Sequence, residues 1–119
     1  MITALPDVVN ANPALVRRGR WTDADMLFES GDDAWVVAIR AGRIEAVTPV
    51  DLQVTSYDFA IRGTAEAWEK FWSSPPPPMH HDLHALIRAG KVRLEGDLDM
   101  LQGNLLYLKL VLESLRGRV

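Results

Sequence analysis

The sequence contains no cysteine at any of its 119 positions. Disulfide bridges, thiolate nucleophiles and thiolate metal ligands are therefore excluded. No apolar run approaches the ~20 residues that a membrane-spanning helix requires. The segment after Met1 also lacks a charged stretch followed by an apolar one, the pattern typical of a secretion signal. These absences lead us to expect a cytoplasmic protein.

Positive charge is also scarce, since 13 Lys and Arg residues face 16 Asp and Glu residues for a formal net charge of -3. That balance argues against nucleic acid as the main partner. The one basic cluster is Arg17, Arg18 and Arg20. It predicts at most a transient contact with anionic lipid headgroups, and a solvated connector is the simpler interpretation.

A chain of this length suits one domain that buries about two-thirds of its unfolded surface, and we expect residues 1–119 to form a single domain. The first helical segment, residues 6–18, contains Asn12-Pro13. Because the residue before a proline avoids the helical region, this segment is predicted to be short or broken.

Five segments alternate polar and apolar residues or are rich in β-branched and aromatic residues, and turn residues separate the first three. This pattern predicts an α+β fold in which the first three strands form an antiparallel meander. Asp58 and Arg62, in the fourth segment, could pair across a sheet face. The predicted strands are near residues 25–30, 34–40, 43–48, 53–62 and 91–95.

Two helices are predicted near residues 64–72 and 80–89, with Thr64 as the N-cap of the first and Gly90 ending the second. Trp68, Phe71 and Trp72 have i, i+3 and i+4 spacing and so share one helix face. Packing in the core is the default role of such a face. The alternative is that part of it lines a ligand cavity.

A third helix, about residues 98–115 and roughly 27 Å long at ~1.5 Å per residue, is predicted to begin after Asp97 as its N-cap. Leucines form a stripe along it, and Tyr107 and Val111 extend the apolar surface to other faces. Such a helix needs cover on more than one side. A sheet with another helix, a partner subunit or a bound apolar ligand would each supply it.

All three histidines, His80, His81 and His84, lie close together at the start of the second predicted helix. His80 and His84 have the i, i+4 spacing of helical zinc sites, but the glutamate and third ligand of such sites are missing. We therefore expect them to decorate a helix start, with no metal and no cofactor. Phosphate loops and nucleophile elbows are not recognisable either.

The order of these elements, and above all the segment Gly90-Lys91-Val92-Arg93-Leu94-Glu95-Gly96-Asp97, resembles the sterol carrier protein type 2 family of non-specific lipid-transfer domains. The likeness covers about residues 24–115. It implies a five-stranded, mostly antiparallel sheet, helices packed on one face, and an apolar tunnel between them for a sterol, fatty acid or acyl-CoA. The lining residues that it implies are Phe59, Trp68, Phe71, Trp72, Leu83, Leu86, Ile87, Leu98, Leu101, Leu105, Leu108 and Leu112.

The leading hypothesis is therefore a non-enzymatic, intracellular binding or carrier domain for a lipid-like ligand, held by apolar burial with few polar anchors. A different class is an interaction protein, in which residues 98–115 form a homodimer surface and the cavity is vestigial. A third is a metal-dependent enzyme built on the histidine cluster.

Overall fold

The computed structural model describes residues 1–50 and 56–118. Its centre is a sheet of five strands, which lie side by side in the order third, second, first, fourth, fifth. The strands are β1 (Ala24–Ser30), β2 (Asp33–Arg40), β3 (Arg43–Pro49), β4 (Phe59–Gly63) and β5 (Val92–Gly96).

Three of the four strand pairs are antiparallel, and β1 with β4 is the parallel pair. The mostly antiparallel sheet and the initial meander are therefore confirmed. Ala41 and Gly42 connect β2 to β3 with φ angles of 51° and 80°. Two successive positive φ angles are the signature of the tight turn whose twist matches a hairpin.

The fourth strand begins later than predicted, at Phe59 instead of residue 53. Residues 53–55 of that prediction lie outside the described part of the chain, and Ser56 to Asp58 are not in the strand. Asp58 is held by β1 in two ways. Its N–H donates to the Asp25 carbonyl oxygen at 2.8 Å, and its carboxylate accepts from the Asp25 N–H at 2.7 Å. Ladder pairing with β1 then starts one residue later, at Met26 and Phe59.

Two short helices precede the sheet, α1 (Leu5–Asn10) and α2 (Pro13–Arg18), after a single turn at residues 2–4. The predicted break is confirmed, and Asn12 caps α2 by accepting from the Leu15 N–H at 3.2 Å. The side chain of Asn10 both donates to and accepts from the backbone of Ile44, at 2.9 and 2.8 Å. This pairing covers part of the β3 edge, which would otherwise expose its polar groups.

Helix α3 (Ala65–Phe71) matches its prediction, and Thr64 caps it by accepting from the Ala67 N–H at 3.0 Å. Helix α4 (Leu83–Arg88) is shorter than the predicted 80–89. It begins at Leu83 because the preceding residue, Asp82, has extended backbone angles and accepts from the His84 N–H at 2.9 Å. A residue that caps a helix in this way lies outside it.

The single long helix predicted for residues 98–115 is wrong. Two helices, α5 (Leu98–Gly103) and α6 (Leu105–Glu113), are separated at Asn104, whose ψ is 13°. The Asn104 side chain donates to the Met100 carbonyl oxygen at 2.9 Å and accepts from the Thr22 hydroxyl at 2.7 Å. A side chain that bonds nearby backbone groups competes with the helix, and Gly103 beside it adds a residue of low helix propensity. The predicted cap of Asp97 is confirmed, by its contact with the Met100 N–H at 3.0 Å.

The hydrophobic core lies between the helices and one face of the sheet, since alternate strand residues such as Met26, Phe28, Phe59 and Ile61 are fully buried there. Successive side chains of a strand point to opposite faces. The intervening residues, including Arg62, therefore occupy the outer face. Among the described residues, no helix combines the length and apolar character that crossing a bilayer would need.

Candidate functional site

The space between sheet and helices is dominated by aromatic rings from β1 and α3. The Phe28 ring lies 4.7 Å from Trp68 and 5.9 Å from Trp72, centroid to centroid. Trp68 in turn meets Phe71 edge to face at 5.7 Å. Offset and edge-to-face contacts of this kind add to the stabilisation that burial alone gives. The predicted aromatic face of α3 therefore belongs to an aromatic cluster that includes the sheet.

The polar atoms inside this layer all have partners. The Trp68 and Trp72 indole N–H groups each donate at 2.8 Å, to the carbonyl oxygens of Glu29 and Leu112. Across residues 1–50 and 56–118, every fully buried side-chain nitrogen or oxygen has a hydrogen-bond partner. A molecule entering this layer would thus meet carbon almost everywhere, and its own polar groups would lose water without replacement.

Tyr107 supplies the polar contact that ties α6 to the hairpin of the meander. Its hydroxyl donates to the Gly42 carbonyl oxygen at 2.6 Å, and its side chain is buried. Burial raises the pKa of Tyr107 to about 12, because a phenolate there would lose its hydration. The residue therefore stays neutral and acts as a structural donor.

The residues predicted to line a tunnel fall into three groups. Ile87 and Leu105 are partly buried and pack against the core. Leu98, at the first position of α5, is 45% exposed on the surface. The rest are buried within one core cluster: Phe59, Trp68, Phe71, Trp72, Leu83, Leu86, Leu101, Leu108 and Leu112.

A surface cavity reaches the indole rings of this cluster. It has a volume of about 170 Å³, and Trp68 and Trp72 form part of its wall. The remaining wall comes from Met1, Ser30, Ala65 and Glu69. The cavity is a place where the predicted lining residues meet solvent-accessible space, whereas the tunnel itself stays a prediction.

The sequence interpretation missed two kinds of contributor to this site. Phe28 could have been found, because it alternates with Met26 in the first strand and so shares its core face. Met1 and Ala65 carry no pattern that indicates a cavity, and only the packing of the N-terminus beside α3 places them there.

Arg116, just after α6, fixes the end of α3 to the loop before α4. Its guanidinium donates to the Phe71 carbonyl oxygen at 2.9 Å and to the His81 carbonyl oxygen at 2.8 Å, and lies 4.8 Å from the centre of the Phe71 ring. The Arg116 guanidinium thus bonds one carbonyl oxygen at the end of α3 and one in the loop before α4, and it also covers the face of the Phe71 ring. These contacts hold the segment that follows α6 against the aromatic cluster.

The histidines do not form the helical pair considered from the sequence, because His80 precedes α4. His80 is buried, with Nδ1 3.0 Å from the Pro78 carbonyl oxygen and Nε2 3.3 Å from the Lys91 ammonium. Lys91 can only donate, so Nε2 accepts and Nδ1 carries the proton given to Pro78. His81 and His84 are exposed. Within the described ranges, no three His, Cys, Asp or Glu side chains cluster closely enough to hold a metal ion.

The apolar surplus noted in residues 98–115 is mostly covered by the chain itself. The break at Asn104 turns α6 so that Leu108, Val111 and Leu112 are fully buried. Leu98 and Leu106 are the large apolar residues of these two helices that remain exposed, at 45% and 57%. The homodimer stays a prediction.

Comparison with solved structures places this architecture among known folds. Sterol carrier protein 2 superposes with a TM-score of 0.76 at 17% identity, over 98% of this chain and 93% of that protein. A conserved hypothetical protein from Thermus thermophilus gives 0.74 at 14% identity, over 97% and 83%. The sterol carrier protein domain 2 of Helicoverpa armigera gives 0.60 at 13% identity, over 99% and 87%.

No protein-family model and no curated protein matches the sequence. At identities this low, the superposition of the strands and helices is what shows a shared architecture. The five-stranded mixed sheet, its element order and the helices over one face all agree with the solved structures. The chain has the fold of sterol carrier protein 2.

Proposed function

We propose that this chain binds and carries a lipid-like hydrophobic molecule between the helices and the sheet. The observation that carries the proposal is an aromatic, fully hydrogen-bonded layer in the fold of sterol carrier protein 2, to which a surface cavity gives access at Trp68 and Trp72. The ligand class follows from the chemistry of the wall. A sterol, a fatty acid or the acyl chain of an acyl-CoA gains free energy by leaving water without needing an unpaired protein donor.

The cavity must widen when it is occupied. Its volume of about 170 Å³ is below the roughly 300–1,000 Å³ typical of small-molecule sites. Met1 can move aside, because its unbranched side chain is 38% exposed. The ligand would then pass between the N-terminus and α3 and displace the side chains that now pack on Trp72.

The proposal assigns no catalytic residue. The two indole N–H groups beside the cavity already donate to backbone carbonyl oxygens. To carry a ligand, the protein needs only to bury it and later release it, and for this the apolar layer must open and close. The predicted lining residues, including Leu86, Leu101 and Leu108, would become the ligand's surroundings once the layer opens.

The test is uptake of a fluorescent fatty acid by variants that fill the cavity or leave it alone. Ala65 is exposed at the start of α3 and lines the cavity, so Ala65→Trp should block access without straining the core. We expect an affinity loss of about tenfold or more with an unchanged melting temperature. The matched control is Ala89→Trp, an exposed position after α4, which should bind as wild type does.

Added ligand should also raise the melting temperature of the wild type as its free concentration passes the dissociation constant. If wild-type protein binds no fatty acid, sterol or acyl-CoA, the carrier proposal is wrong. Equal loss of binding in both tryptophan variants would reject the cavity as the access route. Sedimentation of the same samples tests the homodimer, which predicts association that is independent of lipid.

A further inference from the structure

The turn that follows α2 exposes an indole to water. Trp21 is 83% exposed, whereas Trp68 and Trp72 are 1% and 5% exposed. A single exposed apolar residue is common on proteins and decides nothing alone. The surroundings of Trp21 are what distinguish it.

The backbone on both sides of Trp21 is fixed against α6. Gly19 is buried against Tyr107, and a Cβ there would lie within 2.2 Å of the ring, so only glycine fits. Thr22 donates its N–H to the Gly19 carbonyl oxygen at 2.8 Å and its hydroxyl to Asn104 at 2.7 Å. Trp21 is thus presented outward by a turn that is anchored one residue away.

Three arginines precede this indole in the chain, and one of them lies against its ring. Arg17, Arg18 and Arg20 line a surface hollow of about 310 Å³, together with Ala14. The Arg20 guanidinium lies 5.4 Å from the Trp21 ring centre, and its Nη1 donates to the Arg17 carbonyl oxygen at 2.9 Å. In the part of the chain that the structure describes, none of the three guanidinium groups forms an ion pair.

Nearby acidic residues do not neutralise the hollow. The Asp23 carboxylate accepts from the Ala41 N–H at 2.8 Å. Glu113 shares with Arg18 a separate groove of about 360 Å³ between α2 and α6, which Leu15 and Leu110 also line. Arg18 and Ala14 line both depressions. The surface therefore combines a cationic hollow, an apolar groove and an outward-facing indole.

We infer that this turn, Arg17 to Trp21, is a docking surface for an anionic lipid bilayer. Guanidinium groups bind phosphate through several donors at once, and indole rings prefer the headgroup level of a membrane, where one end is apolar and the other is wet. A purely polyanionic partner would use the arginines alone and would give the exposed Trp21 indole no role. The inference does not depend on the proposed carrier function.

The experiment measures co-sedimentation with phosphatidylcholine vesicles that contain about 30% phosphatidylserine, compared with pure phosphatidylcholine, at about 0.1 M salt. Replacing Arg17, Arg18 and Arg20 together by Gln should lower the partition constant roughly 100-fold, as three basic residues near an anionic surface would. The matched control replaces the exposed Arg88, Arg93 and Arg118 by Gln. It removes the same charge elsewhere and should lower binding only a few-fold.

Trp21→Ala separates a membrane from other polyanions. We expect it to lower binding to anionic vesicles by about tenfold and to abolish the blue shift of tryptophan fluorescence that vesicles cause in the wild type. Equal losses in the two arginine variants, or binding to duplex DNA as tight as to vesicles with no effect of Trp21→Ala, would overturn the inference. Because fatty-acid uptake is measured separately, failure here leaves the carrier proposal intact, and the reverse also holds.

Discussion

Ile61 and Arg62 are neighbours in β4, yet they face opposite sides of the sheet and are stabilised by different interactions. Ile61 is fully buried in the apolar layer beneath the helices. Arg62 lies on the outer face, where its guanidinium bonds Glu29 at 3.1 Å and Glu95 at 2.8 Å while its side chain is 20% exposed. The helix-facing side is held by close packing of carbon, whereas the outer face adds paired charges to its apolar residues.

The difference between the two faces also concerns specificity. Arg62 lies directly opposite Glu29 in the parallel neighbour, and Glu95 belongs to the antiparallel neighbour β5. Cross-strand charge pairs favour one register over its alternatives. Carbon packing beneath the helices is less directional, which suits a face that we propose must open for a ligand.

The largest effect should come from the helix-facing side. Phe28→Ala removes a ring that contacts Trp68 and Trp72 and leaves a cavity, so it should lower the free energy of unfolding by about 3–5 kcal/mol. The matched change on the outer face, Val36→Ala, should cost about 1 kcal/mol because Val36 is only half-buried. Urea unfolding measures both. Equal losses would show that the two faces do not differ as described.

An intermediate loss of stability is expected when the hydrogen bond between Tyr107 of α6 and Gly42 is removed. Tyr107→Phe leaves the buried Gly42 carbonyl oxygen without its donor and should cost about 1–3 kcal/mol near neutral pH. Tyr57→Phe is the control, because Tyr57 is half-buried and its hydroxyl accepts from Arg62 at 3.2 Å, a longer contact than that of Tyr107. It should cost less, and a larger loss at Tyr57 would contradict the assignment.

The same tyrosine predicts a pH dependence. In the unfolded chain a tyrosine has a pKa of about 10, whereas burial raises the pKa of Tyr107 in the folded chain to about 12. The contribution of Tyr107 to the free energy of unfolding is therefore fully present below pH ~10 and is lost as the pH rises through ~12. The reason is that this tyrosine loses its proton in the unfolded chain before it does so in the folded chain. Unfolding measured across this window should show a loss of stability that Tyr107→Phe removes and Tyr57→Phe retains.

The smallest effects belong to the charges of the outer face. Arg62→Met removes the ion pair with Glu29 and leaves Glu95 with its longer pair to Arg93 at 3.9 Å, so it should cost about 1–2 kcal/mol. Arg40→Gln breaks a pair with Asp25 at 2.9 Å whose side chains are 45% and 37% exposed, so it should lower the stability less than Arg62→Met does. Unfolding at low and high salt separates them, since only the exposed pair should be fully screened. If Arg40→Gln were the more damaging change, burial would not be what strengthens these pairs.

Strands and caps could be predicted because their causes are local. Thr64 and Asp97, both predicted as caps, each accept from an N–H group three residues later, a distance that the sequence shows directly. The aromatic face of α3 was likewise evident from spacing within one helix. The candidate site was only partly predictable, since Leu98 has the same leucine spacing as Leu101 yet is exposed.

Partners distant in sequence could not be predicted. A pairing of Arg62 with Asp58 looked reasonable by proximity, but Arg62 bonds Glu29 and Glu95, each 33 positions away. His80 was expected at a helix start, and its partner Lys91 comes from the edge of β5. These contacts depend on which strand lies beside which, and the parallel placement of β4 beside β1 fixes that order.

By itself, the sequence determined the absence of thiol chemistry, the alternation that gives the sheet two unlike faces, and the starts of α3 and α5, because each follows from composition or from residues a few positions apart. The tertiary structure alone decided where the leucine-rich segment breaks. Thr22 donates to Asn104 from 82 positions away and helps to hold it out of the helix, so the turn that presents Trp21 and the burial of α6 share a contact that exists only once the chain has folded.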